Sequence, residues 1–481
     1  MSKSIKINFI FNIVNTVSSL LFPLIAFTYA SRIIMAEGIG EVQFFQSIIN
    51  YIVLFSSLGI PMYGIREIAR VRDDERALAR TTIEIVLLNL ILNVVGYIVV
   101  AFLCLTIPQI QSNISLFIVL SSSIILTTIG CSWFYNGIED FKYITLVGLT
   151  VKTVGLIFLF SFVRNESDLL YYAIYLIIGS VGSNIINFIR LRSFVKPSMS
   201  ILHELNISKH IKPTCSIFLF NIITSIYINL DSVMLGFLKD NTSVGYYTAA
   251  TRVSHILVTL ITSFGAVLLP RSSNLIKNNQ LDEFRRLSKK SFDMVMMMAF
   301  PLFVGVLVCA PALIHLFCGE SFEPSILTLQ IVSPIIIALA ISNLIGIQVL
   351  YPLGLIKLVT ISTCIGACTN VCLNFLLIPI YGHYGAAIAT VVAEFSVSIS
   401  QCIMARKIIP FSLLSSQMAR YVVCSLLLMV ACTAISQFIE NDLLNIMTVG
   451  LAGASLYISL MFILKDELAL EVYNIILKKL K

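Results

Sequence analysis

The chain contains little charge and almost no tryptophan. Charged residues make up 12% of its 481 residues, with one Trp and five His, whereas hydrophobic residues make up 58%. A soluble domain carries about 25% charged residues. The composition therefore excludes an ordinary soluble domain. Apolar runs long enough to cross a bilayer as helices recur along the chain, which predicts an all-α polytopic membrane protein.

The chain also lacks the usual motifs of enzymes. We find no Gly-rich phosphate loop, no zinc-type His/Cys spacing and no convincing Ser/His/Asp set, and "GIG" at 38–40 is interpreted only as a turn. The predicted outer loops are short. The sequence thus predicts no catalytic residue, no cofactor and no bound metal. Cys364, Cys368 and Cys372 form an i, i+4, i+8 stripe, which is interpreted as small residues at a helix contact in preference to a metal site.

Fourteen membrane spans are predicted, and the placement of basic residues supports that number. With the N-terminus in the cytoplasm, 27 of the 32 Lys and Arg fall in the tails and even-numbered loops. This bias predicts two cytoplasmic termini and accounts for the net charge of +7 without nucleic-acid binding. The predicted spans are 8–34, 42–64, 82–107, 114–137, 142–163, 168–190, 213–238, 245–269, 291–317, 325–351, 357–380, 383–405, 417–438 and 443–464.

The sequence repeats weakly at an offset of about 205 residues. "EGIGEVQFFQSI" at the start of span 2 corresponds to "TSVGYYTAATRV" at the start of span 8. Six spans per copy would place both halves the same way up, related by an axis along the membrane normal. This predicts domains at 1–212 (spans 1–6) and 213–410 (spans 7–12), followed by spans 13 and 14 and a cytoplasmic tail at 411–481.

Polar residues form stripes on the first span of each half. Their spacing of three or four residues places each set on one helix face, which should contact other helices or a cavity instead of lipid. Hydrogen bonding between helices is the simpler explanation for any single Asn. The candidate polar lining consists of Asn12, Asn15, Asn221, Ser225 and Asn229, together with Thr16 and Ser19.

Charged residues inside the spans are the strongest functional signal. Asp231 in span 7 and Arg252 in span 8 lie at matching depth, so they are predicted partners, with His255 one turn from Arg252. A static ion pair would account for these two alone. Lys152 in span 5 and Glu394 in span 12 lie mid-membrane in opposite halves. A hydrated cavity accounts for all four, and intramembrane charge of this kind usually marks a transport pathway.

Several segments resemble one family of transporters. "EGIGEVQFFQSIINYIVLFSSLGIPMYGIREIARVRDD" resembles the bacterial repeat-unit flippases for O-antigen and capsular polysaccharide, in the MOP superfamily that also contains MATE exporters and lipid II flippases. "LDSVMLGFL", "VGYYTAATRV", "VLLPRSS" and "IPIYGHYGAAIATVVAEF" are similar to that family in the same order. The resemblance covers essentially the whole chain and implies two six-helix MATE-like lobes around a central cavity, with spans 13 and 14 beside them.

The resemblance also implies a cargo, an undecaprenyl-pyrophosphate-linked oligosaccharide moved across the bacterial cytoplasmic (inner) membrane by alternating access. Related flippases use cavity arginines to contact the pyrophosphate, and Arg252 and Arg32 occupy comparable places, although the full set is missing. Lys152 is a third candidate for the phosphate. Asp231, Glu394 and His255 are candidates for coupling or charge pairing. The expected partners are the lipid-linked cargo, the bilayer and the polysaccharide polymerase machinery.

Two other functions remain open. A multidrug or cation exporter on the same MATE-like fold would need acidic residues in its pocket, whereas the only deep charge in the N-terminal half is Lys152. A membrane polymerase or ligase acting on the same sugars would be expected to carry a sizeable outer domain. The sequence therefore favours an anionic cargo and a protein that is not an enzyme.

Overall fold

A computed structural model describes residues 5–195, 203–408 and 415–471. These residues form helices and no strand. Contacts divide the chain into two compact units, Met1–Gly245 and Tyr246–Lys481. This division follows the predicted span 7, whereas the repeat places a boundary after residue 212, and that assignment of lobes stays a prediction.

The first unit contains helices α1 to α10 and the beginning of α11. Its longest helices contain apolar stretches that are long enough to cross a membrane. The helices are α1 (Ile5–Ser57), α2 (Ile60–Val71), α3 (Glu75–Thr106), α4 (Pro108–Gln111), α5 (Ile114–Ile129), α6 (Ser132–Gly137), α7 (Phe141–Phe162), α8 (Leu169–Val181), α9 (Ser183–Leu191), α10 (Ser208–Leu238) and α11 (Asn241–Lys277).

The second unit contains the remainder of α11 and helices α12 to α18. A π-helical segment, Leu344–Leu350, continues directly from α14. The helices are α12 (Leu281–Cys318), α13 (Pro324–Val332), α14 (Ile335–Asn343), α15 (Ile356–Tyr381), α16 (His383–Met404), α17 (Ser416–Ser436) and α18 (Asp442–Ile463), with a short 3₁₀ helix at Glu320–Phe322 before α13.

Helix α1 contains the predicted spans 1 and 2. Its continuity is broken at Met35, whose φ of 61° and ψ of −179° are not helical. The break falls between the predicted limits 8–34 and 42–64. The interpretation of "GIG" at 38–40 as a turn is wrong, because both glycines lie in helix after the break. At Gly40 an added Cβ would lie 1.7 Å from the carbonyl oxygen of Asn241, so glycine permits close helix contact there.

Ten helical segments of the described chain are long and apolar enough to cross a membrane, or up to eleven if the bent pair α8 and α9 is one span. Val14–Val71 is one of the ten, although it covers two predicted spans. The protein is thus a multi-pass membrane protein, while the exact number of fourteen spans stays a prediction.

Polar side chains cap the N-termini of two of the long helices. Asp74 caps α3 by accepting from the backbone N–H groups of Arg76 and Ala77 at 2.9 and 3.0 Å. Asn441 caps α18 by accepting from Leu444 N–H at 3.0 Å. These side chains satisfy donors that the helix cannot pair internally.

Candidate functional site

Lys152 is held by the polar stripe of α1. Its Nζ donates to the hydroxyl of Ser19 at 2.9 Å and lies 3.5 Å from the hydroxyl of Ser18. Both serine hydroxyls donate in turn to the backbone carbonyl of Asn15 at 2.8 Å. Because their protons are directed to that carbonyl, their oxygens accept from the ammonium. The stripe predicted on span 1 therefore meets the cation predicted on span 5.

The charge of Lys152 is not balanced by an acid in the part of the chain that the structure describes. Its recorded hydrogen bonds go to the two neutral hydroxyls, and no described carboxylate forms an ion pair with it. The side chain is half-buried. A cation inside a membrane span is costly unless it has a counter-charge or water. This arrangement leaves Lys152 able to attract an anion.

A second polar contact joins α10 to the later part of α1. The Asn229 side-chain oxygen accepts from Asn50 Nδ2 at 3.2 Å, and Asn50 Oδ1 accepts from Gln46 Nε2 at 2.9 Å. Asp231 is buried, 6% exposed, and interacts electrostatically with Tyr51. The predicted stripe on span 7 thus faces span 2 at these positions.

Sequence reasoning did not select Gln46, Asn50 or Tyr51. A signal was available for two of them, because Gln43, Gln46 and Asn50 recur at three- and four-residue spacing, as a polar stripe on a helix does. Gln43 also donates to Ser47 at 3.3 Å on the same helix. Span 2 therefore also contributes a polar stripe to this unit.

The second unit contains three of the predicted charged or titratable residues. Arg252 is half-buried, His255 is exposed and Glu394 is buried, 9% exposed. The predicted pairing of Arg252 with Asp231 stays a prediction. The unit also buries Asn370 and Asn374, and Asn374 Nδ2 donates to Asn370 Oδ1 at 3.1 Å.

Four further residues were predicted to line the cavity or to contact the pyrophosphate, and the structure describes the side chain of one of them. Arg32 is exposed. The side chains of Asn12, Asn221 and Ser225 lie outside the described residues, so their role as polar lining stays a prediction.

The cysteine stripe on α15 is not the helix contact that its spacing indicated. Cys368 and Cys372 are exposed, and Cys364 is half-buried. The buried face of α15 instead carries residues four apart, which are Ser362, Gly366, Asn370, Asn374 and Ile378. Among the described residues no group of three or more His, Cys, Asp or Glu is placed to hold a metal ion.

An apolar groove of about 800 Å³ opens in the second unit. It runs along α12, α17 and α18, the last two being the predicted spans 13 and 14. Its lining includes Met297, Leu302, Leu428, Val449 and Tyr457. Gly305, Gly450 and Gly453 also line it, and the first two leave open space where a Cβ would stand. The groove is large enough for a bulky apolar ligand.

The apolar helices, the polar residues buried within them and the apolar groove define a multi-pass membrane protein. Residues 5–276 match the polysaccharide biosynthesis protein family, so the chain belongs to that family. Over 397 residues it is 24% identical to a protein of Escherichia coli (strain K12) named "Putative O-antigen transporter", covering 81% of this chain and 94% of that protein.

Solved structures share the fold. The lipid II flippase MurJ in an inward closed conformation matches with a TM-score of 0.70 at 17% identity, covering 96% of this chain and 99% of that one. An inward-facing multidrug resistance MATE family transporter of the MOP superfamily matches with a TM-score of 0.65 at 15% identity, covering 81% and 94%. The predicted MATE-like fold is confirmed, whereas identities this low carry no information on cargo.

Proposed function

We propose that the protein is a flippase that moves undecaprenyl-pyrophosphate-linked oligosaccharide repeat units across the bacterial cytoplasmic membrane for surface polysaccharide synthesis. Transport would proceed by alternating access through a cationic central cavity, and the cargo would then pass to the polymerising machinery. Membership of the polysaccharide biosynthesis family and the similarity to the Escherichia coli protein named "Putative O-antigen transporter" support this class of cargo.

The observation that carries the proposal is the state of Lys152. An ammonium group bound to two neutral hydroxyls inside a span keeps its charge available for an anionic ligand. A pyrophosphate is such a ligand, and Lys binds phosphate as a compact point charge. Serine and asparagine side chains near it can form hydrogen bonds with sugar hydroxyls.

The apolar groove would accept the other part of the cargo. A polyprenyl chain is a long hydrocarbon, and its burial is favourable by about 0.8 kcal/mol per CH₂ group. The groove is lined almost entirely by apolar side chains of α12, α17 and α18. It therefore suits the lipid tail of the proposed cargo.

Replacement of Lys152 tests the proposal directly. Lys152→Met keeps the length and the apolar stem of the side chain but removes its charge. In a host that lacks its own copy, we expect transport to fall about 10- to 100-fold, which corresponds to losing one charged hydrogen bond of about 1.5–3 kcal/mol. The measurement is the amount of surface polymer and of lipid-linked repeat units retained on the cytoplasmic side, relative to protein abundance in the membrane.

Two further variants give the controls. Lys142→Met removes the same charge from the exposed beginning of α7 and should transport normally. Lys152→Arg keeps the charge and should retain part of the activity. Normal transport by Lys152→Met at normal abundance would contradict the role assigned to this cation.

A MATE-type multidrug or cation exporter is the second candidate, and the shared fold favours it. An exporter of cations would be helped, not harmed, by removing a cation from its pathway. Drug sensitivity on deletion, with surface polymer unchanged, would therefore favour the exporter. Loss of polymer with accumulated lipid-linked repeat units would favour the flippase.

A further inference from the structure

The chain turns sharply immediately after α18. Lys465 has a φ of 50°, in the left-handed region, and the backbone N–H of Asp466 donates to the carbonyl of Met461 at 3.0 Å. A hydrogen bond of this span beside a left-handed residue is a common way for a helix to end. The residues that follow therefore leave the axis of α18 instead of continuing it.

A buried carboxylate fixes the short segment after this turn. Asp466 is fully buried, and its Oδ1 accepts from the backbone N–H groups of Leu468 and Ala469, both at 3.1 Å. It thereby caps the helical residues 467–471, whose first N–H groups have no partner within the helix. We call residues 466–471 the closing segment.

An ion pair attaches the closing segment to a second helix. The carboxylate of Glu471 pairs with the ammonium group of Lys290, near the beginning of α12. Lys290 precedes Met297, which lines the groove, by seven residues, or about 10 Å along the helix. The closing segment therefore lies beyond Met297, at the end of the groove nearest the beginning of α12.

One face of the closing segment is buried against that end of the groove. Leu468 is 7% exposed, and Ala469 lines the groove together with Phe462 at the end of α18. Leu470, in contrast, is 37% exposed and lies outside the groove. A short helix with one buried apolar face is typical of a segment packed on an apolar surface. The closing segment thus forms the floor of the groove.

The groove therefore has a definite length as well as a definite end. Its lining extends along α12 from Met297 to Leu313, which is about 24 Å at 1.5 Å per residue. A hydrocarbon chain that lies along the groove reaches the closing segment once it is long enough. Carbons beyond that point stay in lipid or detergent, which is as apolar as the groove, so they add nothing to binding.

We propose that the closing segment limits the length of the hydrocarbon chain that the groove accepts, with Ala469 as the residue at which the chain ends. This inference rests on the proposed function, in which the groove holds the polyprenyl tail of the cargo. The small side chain of Ala469 leaves the last part of the groove open. A larger side chain at this position would shorten the groove without changing the rest of its lining.

Binding of isoprenoid phosphates of increasing length to the purified full-length protein tests the proposal. Geranyl, farnesyl, geranylgeranyl and longer polyprenyl phosphates are titrated in one detergent. The affinity of each variant is divided by that of the unaltered protein for the same probe, which cancels the partitioning of the probe into micelles. Ala469→Phe should not change this ratio for short probes. It should lower the ratio about tenfold or more for probes long enough to reach Ala469, because fewer of their carbons are buried.

Two variants are the controls for Ala469→Phe. Leu470→Phe places a ring at the next residue, outside the groove, and should not change the affinity for any probe. Gly450→Phe fills open space within the groove and should lower the affinity for short and long probes alike. The melting temperature of each variant is measured to show that it is folded.

Release of the closing segment should have the opposite effect. Glu471→Lys replaces the ion pair with Lys290 by two like charges, so the longest probes should bind more tightly, by up to about fivefold. Lys290→Glu in the same chain restores opposite charges and should restore the original affinities. Glu467→Lys changes the charge of the closing segment equally, at an exposed residue, and should have no effect.

Two results would overturn the length limit alone. One is an equal loss of affinity for short and long probes in Ala469→Phe, which would place the phosphate, and not the end of the chain, at the closing segment. The other is unchanged binding of every probe by both Ala469→Phe and Glu471→Lys. In both cases the groove still binds a hydrocarbon, so the proposed function stands. Absence of binding of every probe by the unaltered protein would overturn the length limit together with the assignment of the groove to the lipid tail.

Discussion

Glu84 is a fully buried carboxylate that connects three parts of the first unit. Its Oε1 accepts from Arg80 Nε at 3.1 Å and from Asn206 N–H at 2.8 Å. Its Oε2 lies 2.9 Å from His210 Nε2 and 2.6 Å from Lys209 Nζ. His210 Nδ1 lies 2.6 Å from the Tyr63 hydroxyl. The carboxylate therefore attaches the beginning of α10 to α2 and α3.

We expect Glu84→Gln to lower the free energy of unfolding by about 2–4 kcal/mol, because it removes the charge that compensates Arg80 and Lys209 and weakens the acceptor of buried His210. The measurement is the melting temperature of the purified protein and its abundance in the membrane. Glu139→Gln is the control, because Glu139 pairs with Arg72 at 2.9 Å on the exposed surface, where an ion pair contributes about 0–1 kcal/mol. Equal effects of the two variants would contradict the assigned role of Glu84.

Single residues differ in how far the sequence reveals them. Lys152 and Asp231 were predictable because a charge inside an apolar run is conspicuous whatever it contacts. Glu84 was not, because it lies near the basic loop, where charge is ordinary. Its partner His210 is 126 positions away in the chain. The identity of such partners depends on tertiary packing, which residue spacing along one helix does not determine.

At the scale of helices, two glycines form a reciprocal contact. A Cβ added to Gly40 would lie 1.7 Å from the Asn241 carbonyl oxygen, and one added to Gly245 would lie 1.9 Å from the Ala36 carbonyl oxygen. Gly245 follows Gly40 by 205 positions, and Asn241 follows Ala36 by the same number. The contact thus supports the repeat and its offset.

Alanine at either glycine should weaken this contact. Gly40→Ala and Gly245→Ala each place a methyl group against a backbone carbonyl, which must move, so we expect a loss of about 1–3 kcal/mol in stability. The measurement is thermal unfolding in detergent. Gly305→Ala is the matched control, since its added Cβ would meet nothing within 4 Å. If Gly40→Ala were as stable as Gly305→Ala, the close approach of α1 and α11 would be wrong.

Helix α1 shows why the prediction of a turn at Gly38 and Gly40 is wrong. The boundary between spans 1 and 2 was predicted from hydropathy and agrees with the break at Met35. The same region suggested a turn at "GIG", because glycine permits both turns and close helix contacts. Only the position of a second helix distinguishes these uses. Hydropathy is a property of the local chain and therefore predicts the boundary between the spans, whereas a helix contact depends on a second, distant segment.

At the scale of the whole molecule, the distribution of basic residues predicts the orientation in the membrane. Single cysteines at Glu37, Asp240 and Asp442 should react with a membrane-impermeant maleimide from outside intact cells. Cysteines at Arg76 and Arg286 should react only after the membrane is opened. All but Asp442, which is partly exposed, are exposed in the structure. Lys479, predicted to be cytoplasmic, lies outside the described residues and is better tested with a reporter fusion.

The unmodified chain already has eleven free cysteines, so its own maleimide labelling is measured in parallel and subtracted from that of each variant. The decisive pair is Glu37 and Asp240. They adjoin Ala36 and Asn241, which take part in the reciprocal glycine contact, so both must lie at the same end of their helices. Six spans in each repeat require the same result. Labelling of these two positions from opposite sides would therefore contradict both the repeat and the contact. Labelling of both from the cytoplasm would preserve the repeat and reverse the predicted orientation.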